Sequence, residues 1–248
     1  QYLPAIVRNK NVACVLAPAQ LARMLPDHIG AAITDNPRDR FYDIHEYLRL
    51  STDFYWRDFD TEIAPTARVH PAAFVAPRNV RIGPDSIVEA HAVILERAVV
   101  GRGAILRSCC VIGGDSFEFR KQGGMIRNIA DAGGVALGDR VEVQHGSVIQ
   151  NSVYGGFTTI SDDTKVGALV MIAHNGRVGK RCLISEGATI CGNCIIGDDV
   201  VIGPSSTISS RVKVHDGAHV SLGSVVIRNV KKNQTVSGNF AVGHDRFL

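Results

Sequence analysis

Residues 160–208 read ISDDTKVGALVMIAHNGRVGKRCLISEGATICGNCIIGDDVVIGPSSTI, and an aliphatic residue returns in this stretch at every sixth position. The series continues without a break and comprises Ile160, Val166, Ile172, Val178, Ile184, Ile190, Ile196, Ile202, Ile208, Val214, Val220 and Val226. Four positions after each member stands a small or short residue, from Thr164 to Val230. A period of six fits neither an α-helix nor a β-strand. It predicts a solenoid in which each hexad forms one flat side of a triangular coil, with eighteen residues to a turn.

The same period governs two further runs nearer the N-terminus. They comprise Ile82, Val88, Ile94, Val100, Leu106 and Ile112, and then Leu137, Val143 and Ile149. We therefore expect a mainly β protein, with a parallel β-helix over residues 63–248. Its interior should be aliphatic, since 45% of the residues are hydrophobic but only 6% are aromatic.

The cysteines pose a choice between metal chemistry and packing. The pair in Cys191-Gly-Asn-Cys194 has a spacing that is used for zinc and for redox chemistry. However, Cys110, Cys182 and Cys194 all occupy the small position of the repeat, where packing explains them. We therefore expect three buried thiols and no metal site.

The repeat is interrupted twice. Between Ile112 and Leu137 it fails over an excursion at 113–135, which carries Phe117 and Phe119. An excursion of this length is more often functional than accidental, and its aromatic side chains would either cover a ligand or pack against a neighbouring subunit. Near Tyr154–Gly156 the repeat is one residue short, and we interpret this second interruption as structural and not functional.

Residues 1–62 do not follow the six-residue period, and their apolar runs predict a small α/β domain. Apolar runs predict strands at Ala5–Val7, Val12–Leu16 and Ile29–Thr34, and a helix at Ala19–Leu25. Asn36-Pro37 should open a second helix, with the asparagine as N-cap and the proline in the first turn.

Charge and hydropathy exclude several classes of partner. The formal net charge of +3 is too small to indicate nucleic acid, and no apolar run reaches the ~20 residues of a membrane span. Gln1–Lys10 lacks the layout of a secretory signal. We expect a cytoplasmic enzyme or binding protein.

His174 is the strongest candidate for a catalytic residue. It lies two places after an inward-facing aliphatic residue, at the surface of a coil. With eighteen residues to a turn, Gly192 lies directly above it and Gly156 directly below, which leaves the imidazole uncovered beside a backbone N–H. Such a pair suits acyl transfer, with the neutral imidazole as general base and the Gly192 amide as oxyanion donor.

A column of polar residues stands beside the histidine. Asn175, Asn193 and Arg211 follow one another at eighteen-residue spacing, either as a structural asparagine ladder or as a wall whose arginine binds a diphosphate or pantetheine group. Glu186 is a further candidate, for an orienting role.

The chain resembles the hexapeptide-repeat acyltransferases, which are left-handed β-helices. More specifically, it is similar to the UDP-3-O-acylglucosamine N-acyltransferases of lipid A synthesis. Three stretches carry this resemblance: Asn36-Pro37 in the small domain, the excursion beginning Ile112-Gly-Gly-Asp-Ser-Phe-Glu-Phe119, and Ile172-Ala-His-Asn175. The handedness rests on this resemblance and not on the period.

The resemblance implies a function and a set of roles. It implies a homotrimer with sites between subunits and transfer from an acyl carrier protein or coenzyme A thioester to the amine of a nucleotide-linked amino sugar, without a resident cofactor. His174 then matches the base, Gly192 the oxyanion amide and Asn36 the nucleotide contact, and Phe41 and Tyr42 would supply aromatic stacking.

The chain also departs from the family pattern. It is shorter and lacks the C-terminal helices that receive the carrier protein. An Asp-Arg-Gly motif after the excursion reads Gln150-Asn151-Ser152, a Gly-Gly pair near the acyl groove reads Glu186-Gly187, and Arg211 replaces a phosphate-binding histidine. These changes affect the expected substrate more than the chemistry.

Three alternatives stay open. A short-chain transferase could use acetyl- or hydroxyacyl-coenzyme A to modify a sugar of O-antigen or capsule. The fold also hosts γ-type carbonic anhydrases, but these need a histidine pair five residues apart, whereas His215 and His219 are four apart. A non-catalytic scaffold predicts that His174→Ala has no effect.

Overall fold

The computed structural model describes residues 3–239, which form two compact units. Within the described range, the first unit contains residues 3–54 together with 119–129, and the second contains 55–118 and 130–239. The domain boundary therefore lies at residue 54 instead of 62, and the hairpin of the excursion belongs to the first unit. The last nine residues of the predicted second domain lie outside the described part.

The first unit is a small α/β assembly. Its elements, numbered along the whole chain, are α1 (Leu3–Arg8), β1 (Cys14–Ala17), α2 (Ala19–Ala22), β2 (Gly30–Ile33), α3 (Pro37–Ser51) and the hairpin strands β12 (Phe119–Gln122) and β13 (Met125–Asn128). β1 and β2 pair in parallel, and β12 and β13 pair antiparallel. The predicted strand at Ala5–Val7 is wrong, because these residues lie in α1.

The helix predicted after Asn36 is confirmed. Asn36 is the N-cap of α3, and its Oδ1 accepts a hydrogen bond from the backbone N–H of Asp39. Residues of the excursion hairpin pack on this helix: Arg127 forms an ion pair with Glu46 at 2.5 Å, and the guanidinium of Arg120 lies 5.0 Å from the ring centre of Tyr42.

The second unit is a parallel β-helix with three sheets. Sheet 1 contains β3 (Glu62–Ile63), β6 (Val80–Ile82), β9 (Ala98–Val100), β14 (Gly134–Leu137), β17 (Phe157–Ile160), β20 (Arg177–Val178), β23 (Ile195–Ile196) and β26 (Lys213–Val214). Sheet 2 contains β4 (Arg68–Val69), β7 (Ile87–Val88), β10 (Ile105–Leu106), β15 (Glu142–Val143), β18 (Lys165–Val166), β21 (Leu183–Ile184), β24 (Val201–Ile202), β27 (His219–Val220) and β29 (Thr235–Val236). Sheet 3 contains β5 (Phe74–Val75), β8 (Val93–Ile94), β11 (Val111–Gly114), β16 (Val148–Gln150), β19 (Met171–Ile172), β22 (Thr189–Ile190), β25 (Thr207–Ile208) and β28 (Val225–Val226).

The register confirms the predicted coil of eighteen residues. Ile172 pairs with Ile190, and Ile190 pairs with Ile208. All twelve members of the aliphatic series from Ile160 to Val226 are buried, and so are Cys110, Cys182 and Cys194. Backbone pairing between coils and one continuous aliphatic core thus stabilise the solenoid.

The irregular coils share one feature, which is the corner at which they depart from the repeat. We call the turn that leads from sheet 3 to sheet 1 the 3–1 corner. The excursion leaves β11 in sheet 3 and re-enters at β14 in sheet 1. On the next coil Val148 pairs with Met171, so that coil has 23 residues, and its extra residues also lie at the 3–1 corner. Residues 3–239 contain no helix that is long and apolar enough to cross a membrane.

Candidate active site

His174 lies at the 3–1 corner, two residues after the end of β19, and is half-buried. The next residue, Asn175, has a φ of 58°, and Asn193 and Arg211 adopt the same left-handed conformation on the two following coils. The backbone N–H of Asn193 donates to the carbonyl oxygen of His174 at 2.9 Å, and that of Arg211 donates to the carbonyl of Gly192 at 3.0 Å. The predicted polar column is therefore present beside the histidine.

The side chain of Asn175 is held from below by the irregular coil. Its Oδ1 accepts from the backbone N–H of Val153 at 3.2 Å, and its Nδ2 donates to Oγ of Ser152 at 2.7 Å. Ser152 in turn donates to the carbonyl oxygen of Gly155 at 2.6 Å. Because the Val153 N–H can only donate, these contacts fix which end of the amide is the oxygen.

The same amide oxygen selects the tautomer of His174. Oδ1 of Asn175 lies 3.0 Å from Nδ1 of the imidazole. Since that oxygen is an acceptor, Nδ1 carries the proton in the neutral ring, and Nε2 carries the lone pair. Asn175 thus orients the histidine, and its hydrogen bonds favour the structural alternative for the column at this position.

Nε2 of His174 lies close to Gly192 on the next coil. A Cβ at position 192 would come within 2.4 Å of Nε2 and 2.6 Å of Cε1, so that only glycine leaves room for the ring. The backbone N–H of Gly192 donates to no residue in the described range. A proton acceptor and a free hydrogen-bond donor therefore stand next to each other on adjacent coils.

Both interruptions of the repeat meet beneath this pair. The shorter one supplies Ser152 and Val153, which hold Asn175. The end of the excursion pairs with the same two residues, because Ala132 donates to the carbonyl of Val153 and Gly133 donates to that of Ser152, both at 2.8 Å. The shorter interruption, interpreted from the sequence as structural, therefore also contacts the candidate site.

A polar cavity of about 320 Å³ opens on the sheet 1 side of Asn175. It is lined by Ser152, Gly155, Gly156, Phe157, Asn175, Arg177, Asn193 and Ile195. Arg177 forms no ion pair with a described residue, and neither does Arg211 higher on the column. Two guanidinium groups without carboxylate partners suit the binding of an anionic substrate.

Other predicted residues lie elsewhere. Glu186 is exposed at the corner between sheets 2 and 3, so it does not meet His174 within one chain. Phe117 is 85% exposed at the start of the excursion. Asn36, Phe41, Tyr42 and Phe119 all belong to the first unit.

Tyr42 is unsuited to the stacking role that was predicted for it. It is buried, with its ring against Phe41 at 5.4 Å and beneath Arg120. Phe41 and Phe119 are each 44% exposed and keep accessible ring surface.

Sequence reasoning missed Ser152, Val153 and Arg177. Ser152 and Val153 lie beside the shorter interruption, where no period indicates which residues will be neighbours. Arg177 could have been identified from the sequence, because it is an outward-facing residue of β20 only three positions after His174. Among residues 3–239, no three histidine, cysteine, aspartate or glutamate side chains are placed to hold a metal ion.

Comparison with known proteins identifies the family. The profile of the bacterial transferase hexapeptide family (six repeats) matches residues 79–114. The UDP-3-O-acylglucosamine N-acyltransferase of Leptothrix cholodnii is 32% identical over 93% of this chain and 75% of its own length. This chain belongs to the UDP-3-O-acylglucosamine N-acyltransferase family. It is therefore an acyltransferase.

Other UDP-3-O-acylglucosamine N-acyltransferases match over smaller parts. That of Paracidovorax citrulli is 33% identical over 68% of this chain and 53% of its own, and that of Chromohalobacter salexigens is 41% identical over 33% and 23%. The chain thus spans only part of the length of several relatives.

Two solved structures support the β-helix fold of this chain. The UDP-N-acetylglucosamine acyltransferase of Francisella novicida superimposes with a TM-score of 0.55 at 21% identity, covering 71% of this chain and 66% of that one. The Arabidopsis enzyme of the same name gives 0.56 at 18% identity, covering 71% of each chain. These likenesses confirm the left-handed parallel β-helix.

Proposed function

We propose that this acyltransferase moves an acyl group from a thioester donor to the amine of a nucleotide-linked amino sugar. The donor is an acyl carrier protein or coenzyme A thioester, which acts as a co-substrate, and no resident cofactor or metal is required. The names of the relatives support a UDP-linked acceptor, and we propose a place in lipid A synthesis. We place the reaction in the cytoplasm.

One observation carries this proposal, which is the lone pair on Nε2 of His174 beside the free N–H of Gly192. The amine attacks the thioester carbonyl, a carbon–nitrogen bond forms, and Nε2 takes the proton from the attacking nitrogen. General-base catalysis of this kind contributes about 10²–10⁴ in rate. Asn175 supports the step because it keeps the proton on Nδ1.

The Gly192 amide acts on the carbonyl oxygen. As the tetrahedral intermediate forms, negative charge gathers on this oxygen, and a well-placed N–H donor stabilises it by about 3 kcal/mol. When the carbon–sulfur bond breaks, the imidazolium returns its proton to the leaving sulfur. The histidine is then neutral again and ready for another turnover.

The polar groups around the corner bind the acceptor. We assign the anionic part of the nucleotide to Arg177 and Arg211, with Asn193 between them. Separately, the family resemblance assigns a nucleotide contact to Asn36 and aromatic stacking to Phe41, and we retain Phe117 and Phe119 as candidate ligand contacts. In this proposal the protein is a homotrimer, with sites completed between subunits.

A short-chain transferase for O-antigen or capsule is the second candidate. It is favoured by Glu186, whose exposed carboxylate replaces glycine in the Gly-Gly pair of the family and suits a long lipid chain poorly. In that case the donor is acetyl- or hydroxyacyl-coenzyme A.

A matrix of donors and acceptors tests these assignments. Acetyl-coenzyme A, 3-hydroxybutyryl-coenzyme A and a long-chain acyl carrier protein are each combined with UDP-, GDP- and dTDP-linked amino sugars, and thiol release is followed. Release that requires both substrates and is lost in His174→Gln supports the proposal. Release from every donor without any amino sugar, or equal rates in the variant, contradicts it.

A further inference from the structure

The polar cavity beside Asn175 contains one aromatic residue in its lining, and the acyl-transfer mechanism gives that residue no part. Phe157 is the first residue of β17 and faces outward, because burial alternates along this strand. It lies on the coil beneath Arg177, whose partner in the register is Thr159. The core of the solenoid is aliphatic and does not include Phe157. The ring is therefore not explained by core packing.

The segment at 55–59, which opens the second unit, holds Phe157 from outside. The ring of Trp56 lies edge-on to that of Phe157, with 5.9 Å between the ring centres, and it also contacts Phe59 at 6.1 Å. The guanidinium of Arg81 covers Phe59 at 4.4 Å from the ring centre. Edge-to-face and cation–π pairs of this kind favour defined ring orientations. Phe157 is thus held in position before a ligand arrives.

A second aromatic residue of this segment packs on the cavity wall. A ring carbon of Tyr55 lies 2.8 Å from the point that a Cβ on Gly155 would occupy, and Gly155 has a φ of 81°. Gly155 and Gly156 both line the cavity. The shorter interruption of the repeat therefore provides a wall of glycine backbone that the aromatic segment can approach closely.

The rest of the lining is polar. Ser152, Asn175 and Asn193 supply hydroxyl and amide groups, and Arg177 has no carboxylate partner in the described part of the chain. Such a lining suits an acyl chain poorly, because an apolar chain would leave these polar groups unpaired. An aromatic ring among amides and hydroxyls is typical of sites that bind a sugar, whose C–H groups pack on the ring while its hydroxyls form hydrogen bonds.

The size and position of the cavity select one part of the acceptor. Its volume of about 320 Å³ lies at the lower end of the ~300–1,000 Å³ of ligand pockets, so it suits one ring with its phosphate better than a whole nucleotide-linked sugar. Asn175 borders the cavity and lies 3.0 Å from Nδ1 of His174. The group nearest to the base must be the sugar that carries the reacting amine, because a ribose and a diphosphate separate this sugar from the nucleobase.

We propose that the cavity binds the hexosamine 1-phosphate portion of the acceptor, with Phe157 as the platform for the sugar ring and Arg177 as the partner of its phosphate. This inference rests on the proposed function and deepens it. Phe157 is then a specificity-determining residue that favours a sugar ring over an acyl chain or a nucleobase. Trp56 acts through Phe157, by holding its ring.

Trp56 gives a direct readout, because it is the only tryptophan in the chain and contacts Phe157. Glucosamine 1-phosphate, titrated into the millimolar range, should change the tryptophan fluorescence of the wild type, whereas uridine should not. Phe157→Leu keeps an apolar side chain but removes the ring, so the Kd of glucosamine 1-phosphate should rise by about three- to tenfold.

Two further variants separate the aromatic platform from general packing. Phe157→Tyr keeps the ring and should retain the wild-type Kd. Phe74→Leu is the matched control, since Phe74 is an exposed phenylalanine of β5 in sheet 3, and it should also leave the Kd unchanged. An unchanged Kd in folded Phe157→Leu, an equal rise in Phe74→Leu, or an equal response of the wild type to uridine overturns the inference. So does the absence of any response of the wild type to glucosamine 1-phosphate.

Saturation-transfer NMR of the wild type decides the question if Phe157→Leu does not fold. Irradiation of the aromatic protein resonances should saturate the ring protons of glucosamine 1-phosphate, and absence of this transfer overturns the inference. The proposed function is tested separately. Binding as expected without thiol release from any donor would count against acyl transfer, whereas transfer that depends on His174 but has the same acceptor KM in Phe157→Leu would count against the platform alone.

Discussion

The imidazole of His174 packs on the Cα of Gly192 one coil above, with Nε2 only 2.4 Å from the point that a Cβ would occupy. This contact exists because eighteen residues close one turn of the helix. It also means that the smallest possible side chain at position 192 would move the base.

Gly192→Ala should therefore inactivate the enzyme without unfolding it. The added methyl group pushes the His174 ring away from its position, and we expect kcat to fall by about 10²–10⁴, which is the contribution of general-base catalysis. Gly238→Ala is a matched control, since a Cβ there meets no atom within 4 Å. Steady-state rates and thermal melts check both variants, and full activity in Gly192→Ala would show that the ring tolerates displacement.

Asn175→Gly should lower kcat by about tenfold through the loss of the hydrogen bond to Nδ1. Glycine accepts the φ of 58° without strain, so the backbone should not change. Asn233→Gly, at a φ of 56° on a distant coil, is the control for loss of a left-handed asparagine. ¹⁵N NMR of the imidazole should show the Nδ1–H tautomer in the wild type and a mixture in Asn175→Gly. A wild-type ring protonated at Nε2 would contradict the assignment.

The thiols should divide into two classes. Burial raises the pKa of Cys110 to about 12 and that of Cys194 to about 11, and it also raises the pKa of Cys182. Only the thiolate reacts with iodoacetamide, so at pH 8 these three should stay unmodified in the folded protein. Cys14 and Cys109 are exposed and should react. Mass spectrometry of the labelled peptides checks this, and modification of Cys194 as fast as Cys109 would mean that the solenoid opens readily.

Truncation of a core side chain should lower the free energy of unfolding but leave the catalysed reaction unchanged. Ile208→Ala removes a fully buried side chain two coils above His174, and such changes cost about 2–5 kcal/mol. The free energy of unfolding from urea titration should fall by this amount while KM is unchanged below the transition. A loss below 1 kcal/mol would show that the coil repacks around the gap.

The period of the sequence predicted the second unit almost entirely. Each member of the series from Ile160 to Val226 points inward, and the position of Gly192 over His174 followed from counting alone. This works because every regular coil repeats the same backbone, so a distance in sequence converts directly into a position in space.

The same argument fails at the 3–1 corner, where the coils are irregular. Ser152 and Val153 reach the layer beneath His174 through residues that obey no period, and their contacts depend on turns that the sequence pattern does not specify. Tyr42 illustrates a different limit: its burial depends on Arg120 from the excursion, 78 positions away in the chain.

The most direct test of the central claim compares wild type with His174→Gln in thiol release from an acyl donor in the presence of the amino sugar that the matrix identifies. Glutamine fills the space but cannot act as a base, so kcat should fall by about 10²–10⁴ while the thermal melt is unchanged. Equal rates in the two proteins would contradict general-base catalysis by His174.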